Sequence, residues 1–366
     1  MLQYLYKRGN VLGLICGMVV LCGALAARAD VPPVHVDPTA PPARAISEYH
    51  LFKDAARQIP NDGVVPYELN TPLFSDYAEK HRFIWMPEGA SATYTPEGPF
   101  DFPVGTAIVK TFGFLHDLRD PAKGERIVET RLLIRKESGW LGLPYLWNEE
   151  VTEAKLAVVG ARADVTWTHS NGEQRSIDYI IPNMNQCKQC HENSGAMQPI
   201  GPKAGHLNRD FSYASGVENQ LTHLSRIGYL RGAPGDPART PYIPVFDDPA
   251  TGNLDRRARA WLDVNCAHCH NPKGPAFTSG LDLSFHQEEA MRYGVMKPPV
   301  AAGRAGTRMY SIVPGKPDES ILMFRIESVD PGIMMPQLPR RVVHDEGVAL
   351  IREWIESMPE RETPAK

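Results

Sequence analysis

Cysteine is scarce in this chain, and none of it is spare. Six cysteines occur in 366 residues: Cys16 and Cys22 near the N-terminus, and Cys187, Cys190, Cys266 and Cys269 in two short motifs. With those four engaged, an exported protein has no thiol left for a disulfide scaffold. Basic charge is not in excess either: 39 Lys and Arg stand against 43 Asp and Glu, a net charge of −4. No basic stripe marks a nucleic-acid surface. The chain also lacks an apolar run of the roughly 20 residues that a spanning helix needs. Its longest run, from Val11 to Leu25, is shorter. What is plentiful is proline (33) and glycine (30), which favours a loop-rich protein with β structure over a long helical bundle.

Lys7 and Arg8 precede that apolar run, and "ALAARAD" follows it with a small-x-small pattern ending at Ala29. This order of charge, apolar core and cleavage site predicts a secretory signal peptide over 1–29 and a periplasmic or exported protein. An uncleaved membrane anchor is the alternative. Leu21 before Cys22 is too large for a usual lipoprotein cleavage site, so no stable membrane anchor is expected after signal cleavage. The mature chain carries 36 basic and 43 acidic residues, a net charge of −7.

The four remaining cysteines spell Cys-x-x-Cys-His twice: "NQCKQCHEN" holds Cys187, Cys190 and His191, and "NCAHCHNP" holds Cys266, Cys269 and His270. This is the attachment sequence of c-type haem. Two thiols form thioethers with the haem vinyl groups, and the adjacent histidine becomes the proximal iron ligand. At this composition one chance occurrence is expected about 0.003 times. A four-cysteine zinc site and a thioredoxin-like redox pair are the alternatives, but neither needs the two added histidines. Two covalently bound haems c are therefore expected, with His191 and His270 on the irons.

Before the second motif, Leu254, Ala258, Trp261 and Leu262 lie on one helical face, which Asn253 or Asp255 could cap. Near the chain end, Val348, Ile351, Ile355 and Met358 form another. A helix entering the motif and a terminal helix that can pack on it predict a small cytochrome c domain. Its sixth ligand is expected in "DPGIMMPQLP", where Met335 is favoured over Met334 because it lies directly before Pro336 in a loop. A thioether there raises the haem potential.

"CAHCHNP", "SGLDLS", "IVPGKPDESILMFRI", "MMPQLP" and "EGVALIREWI" together resemble the planctomycete-type cytochrome c domain over about residues 253–360. The resemblance implies Met335 as distal ligand. "TPLFSDYAEKHRF", "FPVGTAIVKTF", "ETRLL", "YLWNEE" and "NQCKQCH" resemble a bacterial dihaem c-type cytochrome family with no assigned function. That second resemblance implies a parallel β-helix protein as a partner.

Residues 65–183 read as β-rich. "RFIWM", "TAIVKTFGF", "RIVETRLLIRK", "ADVTWTH" and "RSIDYIIP" are strand-like and separated by Gly and Pro. Along "TAIVKTFGF", Ile108, Lys110, Phe112 and Phe114 share a face. A lysine among three large apolar residues reads either as an edge-strand lysine reaching water or as a lysine facing a cofactor. "GTAIVK", with a haem motif after the sheet, is similar to the hydroxylamine-oxidising β-sheet cytochromes and the β-sheet cytochromes c-prime. In the former a lysine at the position of Lys110 is cross-linked to the haem, so the resemblance implies Lys110 as a cofactor-binding residue. No Met-Pro loop serves His191. Its sixth position is expected to be open or filled by His206, Met197 or His223, the last on an expected helix "GVENQLTHLSRIGYL" with Val217, Leu221 and Leu224 inward.

The expected architecture is α+β and multidomain. A signal peptide (1–29) precedes an extended segment (30–64) and an antiparallel β domain with the first haem motif (65–230). A Pro-rich linker or strapped surface segment (231–252) leads to an all-α cytochrome c-like domain with the second haem (253–366). The favoured function is periplasmic electron transfer with an unidentified redox partner protein. The competing readings are an enzyme or gas-binding protein acting on hydroxylamine or nitric oxide at an open first iron, with Glu129 or Arg131 as polar pocket groups, and a docking subunit for a partner oxidoreductase.

Overall fold

The computed structural model describes residues 31–360 apart from 302, 338 and 339; the expected signal peptide lies outside the described residues. Contacts divide the chain into two units, Met1–Pro32 and Pro33–Lys366, and both cysteine motifs belong to the second. The chain combines strands and helices, with the strands concentrated in its N-terminal part.

Six strands form one antiparallel meander: β1 (Val65–Tyr67), β2 (Glu79–Trp85), β3 (Ala107–Leu115), β4 (Glu125–Lys136), β5 (Gly139–Trp147) and β6 (Ala154–Leu156), in that spatial order. Alternation sorts their side chains onto two faces. One face carries Phe83, Val109, Leu132, Leu143 and Tyr145, and residues of the extended N-terminal segment, among them Ile46, Tyr49 and Leu51, complete that core. The other face is split. Ile84 and Ile108 join one cluster with Phe102, Leu207 and Leu221. Phe112 and Phe114 join another with Trp167 and Tyr179 of the hairpin β7 (Ala161–Thr168) and β8 (Gln174–Ile181). Lys110 falls between these two clusters. Its strand is central, paired on both sides, so the edge-strand reading of Lys110 does not hold.

β5 was not among the strands expected from the sequence. Its "GWLGLPYLW" carries Gly142 and Pro144, which read as turn punctuation, yet eight of its nine residues pair with β4 in unbroken register from Lys136↔Gly139 to Glu129↔Leu146. The expected helix over 216–230 is also shorter. Gly216–Asn219 is the second strand of a hairpin with Asp210–Tyr213, and α3 runs only over Gln220–Arg226. Asn219 caps α3 by accepting from Leu221 N at 3.0 Å, and Val217 is exposed on the hairpin.

After residue 253 the regular elements described are helical. α4 (Leu254–Leu262) is capped by Asn253, whose Oδ1 accepts from Arg256 N at 2.9 Å. It continues through a π turn, Asp263–Ala267, into the second motif. α5 (Ile321–Ile326) and α6 (Asp345–Glu356) follow. Trp261, Leu262, Cys266, Ile351, Trp354 and Ile355 share one core, as the helical periodicity predicts. The segment 231–252 is strapped down: Ile243 N donates to Gly205 O at 3.0 Å, and Asn70 and Thr71 bond the carbonyls of Ile243 and Pro244. The loop before β2 also reaches the helical part, because Phe74 N donates to Asn265 Oδ1 at 2.9 Å, one residue before Cys266. Among the described residues no helix is long and apolar enough to cross a membrane.

Candidate haem-binding sites

The first motif forms a short helix, α1 (Cys187–His191), soon after β8. A tight hairpin follows, β9 (Glu192–Asn193) and β10 (Ala196–Met197), turned by Ser194 and Gly195, both at positive φ. This return brings Gln198 back onto His191. Gln198 N donates to His191 O at 2.6 Å, and Gln198 O lies 2.9 Å from His191 Nδ1. A carbonyl only accepts, so Nδ1 carries the proton and Nε2 keeps its lone pair. Burial and the charge on Lys110 push the His191 pKa down to about 4, keeping the ring neutral.

Cys187 packs against the sheet at Gly142. A Cβ on Gly142 would stand 3.1 Å from Cys187 Sγ and 2.7 Å from Met197 Cε. A glycine inside a strand marks such an approach.

A cavity opens beside Cys187 and His191. Its wall includes a row across three strands, Arg82↔Lys110↔Arg131, with Lys80 on the same face. Leu69, Ile108, Leu133 and Val264 supply apolar wall. Arg131 is matched by Glu129, which is fully buried and receives Nε at 2.6 Å and Nη2 at 2.7 Å; Tyr179 Oη donates to the same carboxylate at 2.8 Å. Arg82 has a longer ion pair, 3.6 Å to Glu68, and donates to Lys80 O at 3.0 Å. Lys110 lies over the Phe112 ring at 5.3 Å. Burial, then the charges of Arg131 and Arg82, lower its pKa to about 7. Burial with Arg82 and Lys110 does the same to Lys80, whose Nζ donates to Ala78 O. The wall therefore holds more cationic than anionic groups, in a setting where an added anion is favoured.

Of the three candidates for the sixth position, only His206 lines this cavity. It sits on α2 (Ala204–Leu207), with Nε2 3.4 Å from Asp263 Oδ2 and a buried Nδ1 without a partner. Lys203 also pairs with Asp263, at 2.9 Å. Met197 packs on Gly142 beside Cys187. His223 stacks on Tyr213 at 3.4 Å and bonds Glu218, a packed histidine outside the cavity.

The second motif repeats the histidine geometry with other parts. His270 Nδ1 lies 3.0 Å from Ser279 Oγ. The Ser279 hydroxyl proton is directed at Ala276 O, 2.7 Å away. Oγ therefore accepts from Nδ1–H, and Nε2 is again the bare nitrogen. Burial lowers the His270 pKa to about 4. Cys266 is buried in the helical core, and burial raises its thiol pKa to about 12. The Arg325 charge bears on His270, and the Arg325 carbonyl accepts from Met335 N at 3.1 Å. Met335 lines neither the cavity at Cys187 nor the one beside it.

These features fit a covalently held haem at each motif. Paired thiols adjoin a neutral histidine whose Nε2 is free. At the first motif there is also apolar space, and a cationic wall suited to propionates. Among the described residues no three or more His, Cys, Asp or Glu side chains converge as a metal site. A four-cysteine zinc site would be such a cluster, whereas the porphyrin itself supplies four ligands to haem iron. No protein-family profile, curated protein or solved structure matches the chain.

Sequence reasoning pointed to Lys110, Glu129 and Arg131 but missed Lys80, Arg82, Gly142, Lys203 and Asp263. One signal was present: Lys80 and Arg82 share a strand face with Ile84 along "EKHRFIW". Nothing local marks Gln198 or Ser279 as partners of the two histidines.

Proposed function

We propose that the protein is an exported dihaem c-type cytochrome that transfers electrons in the periplasm. One haem c is held by Cys187, Cys190 and His191, the other by Cys266, Cys269 and His270. The observation that carries this reading is the shared state of the motif histidines. Each gives its Nδ1 proton to an acceptor a few residues on, Gln198 O or Ser279 Oγ, and presents a neutral Nε2. Such a bond fixes the tautomer and ring orientation of a metal-binding histidine. A bound haem supplies one-electron chemistry. The chain supplies thioether sulfurs, axial nitrogens, an apolar wall that excludes water, and cations that receive the propionates: Lys80, Arg82, Lys110 and Arg131 at the first site. In this reading residues from 253 onward act as a helical cytochrome c-like module with Met335 opposite His270. The test is intact-mass and haemochrome analysis of the exported protein. Two covalent haems are expected, and each Cys→Ala pair removes one. A mature chain without covalent haem refutes the proposal.

A second reading rests on Lys110, whose lowered pKa leaves much of it as neutral amine near neutral pH, on the same cavity wall as His191. The first site would then act on a small nitrogen oxide such as hydroxylamine or nitric oxide, with electrons leaving through the second haem. Nitric oxide and carbon monoxide binding to the reduced protein separates the readings. A first haem that stays low-spin and binds neither gas removes the enzyme. Peptide mass analysis shows whether Lys110 carries a third covalent link.

A further inference from the structure

The two cysteine motifs stand 79 residues apart in the chain, and nothing in either predicts where the other lies. The fold puts them in contact. Cys269 Sγ donates to Gln189 O, the carbonyl directly before Cys190, at 3.5 Å. Cys190, Cys269 and His268 are close enough for Cys269 and His268 to bear on the ionisation of the Cys190 thiol. Three residues beyond each motif histidine the backbones are joined again, Ser194 N donating to Lys273 O at 2.8 Å. A second cavity has Cys190 and His191 on one side and Ala267, His268 and Asn271 on the other; it adjoins the first cavity at His191, Ile200, Lys203 and Asp263. All four cysteines are free thiols.

In a Cys-x-x-Cys-His site each sulfur bonds one vinyl-bearing edge of the macrocycle. A Cys269 thiol held against the carbonyl directly before Cys190 therefore brings the edges bonded to the two cysteines near one another. We propose that Cys190 and Cys269 form a junction between the two haem sites, so that electrons pass between them inside the chain without an outside carrier. This rests on the dihaem reading above. An electron crossing the junction takes one iron from ferrous to ferric and the other from ferric to ferrous; no proton moves and no bond breaks. The asymmetry of the two sites gives the junction a direction. A His270–Met335 pair raises the potential of the second haem, so electrons entering at the cavity-bearing first site run to the second.

The test uses the wild-type holoprotein. Intact mass first counts the covalent haems. Electron paramagnetic resonance then follows the ferric signal of the first haem with the second haem either ferric or selectively reduced. A low-spin ferrous neighbour is diamagnetic, so for haems that meet at the junction the microwave power needed to saturate the first signal falls severalfold on reducing the second. Two haems with identical saturation in both states overturn the junction and leave the dihaem reading standing. Fewer than two haems overturns both.

Discussion

Replacing Glu129 by Gln should be the most damaging conservative change in the cavity wall. The carboxylate is fully buried and takes three donors: Arg131 Nε at 2.6 Å, Arg131 Nη2 at 2.7 Å and Tyr179 Oη at 2.8 Å. Glutamine preserves the volume, but it turns one acceptor oxygen into a donor that faces other donors. It also leaves the Arg131 guanidinium without its counter-charge, in a row with Lys110 and Arg82. Breaking one side of a buried ion pair costs about 3–5 kcal/mol. Arg131 is 19% exposed, so water offsets part of that and the low end, about 3 kcal/mol, is expected. Removing both charges in Glu129→Gln/Arg131→Met deletes the stranded cation together with its partner. The double variant should therefore cost less than Glu129→Gln alone, a coupling of at least about 1 kcal/mol. Urea unfolding followed by circular dichroism at pH 7 measures Glu129→Gln, Arg131→Met and the double variant. A single-variant cost under about 1 kcal/mol, or a double variant equal to the sum of its singles, would falsify the account of the ion pair.

Three further outcomes follow from other parts of the molecule. Gly142→Ala places a Cβ 3.1 Å from Cys187 Sγ; overpacking of this kind costs about 1–3 kcal/mol and, on the proposed dihaem reading, should perturb the spectrum of the first haem alone. Gly235→Ala, which meets nothing within 4 Å, is the silent control, and equal effects of the two would refute the close approach. On the same dihaem reading, Met335→Ala should abolish a methionine–iron charge-transfer band while Met334→Ala retains it; the reverse pattern assigns the ligand to Met334. Asp76 is buried, and burial raises its pKa from 3.8 to about 6. Between those values the folded chain keeps a proton that the unfolded chain has lost, so this group's contribution to stability is full below about pH 4 and falls as pH rises towards 6. Asp76→Asn keeps an acceptor for Arg341 N and Val342 N and tolerates the φ of 53°. It should stabilise the protein at pH 7 by on the order of 1–3 kcal/mol and flatten that pH dependence; a loss of stability at pH 7 would contradict the assigned shift.

The β strands with clean alternation were legible, as were the two helical stripes around Trp261 and Ile351, because strand and helix periods are local properties of the side-chain order. β5 was not, because Gly142 and Pro144 suit a turn locally. Gly142 is tolerated in the strand because Cys187 and Met197 occupy the space a side chain would take. Val217 lies outside the helix for a local reason: Asn219 caps the helix two residues later. Lys110 was legible as an anomaly, a cation among aromatics, but its meaning depended on Arg82 and Arg131 arriving beside it from neighbouring strands.

By itself the sequence determined the chemistry available to this protein. It set two thiol pairs, each followed by a histidine within five consecutive residues. Only the tertiary structure decided how those groups are used. It chose the tautomers of His191 and His270 through Gln198 O and Ser279 Oγ, opened a cationic cavity beside one motif, and set Cys190 against Cys269. A hydrogen-bond partner or a contact across 80 residues depends on how the sheet and the helices pack, and packing depends on all of the apolar surface at once.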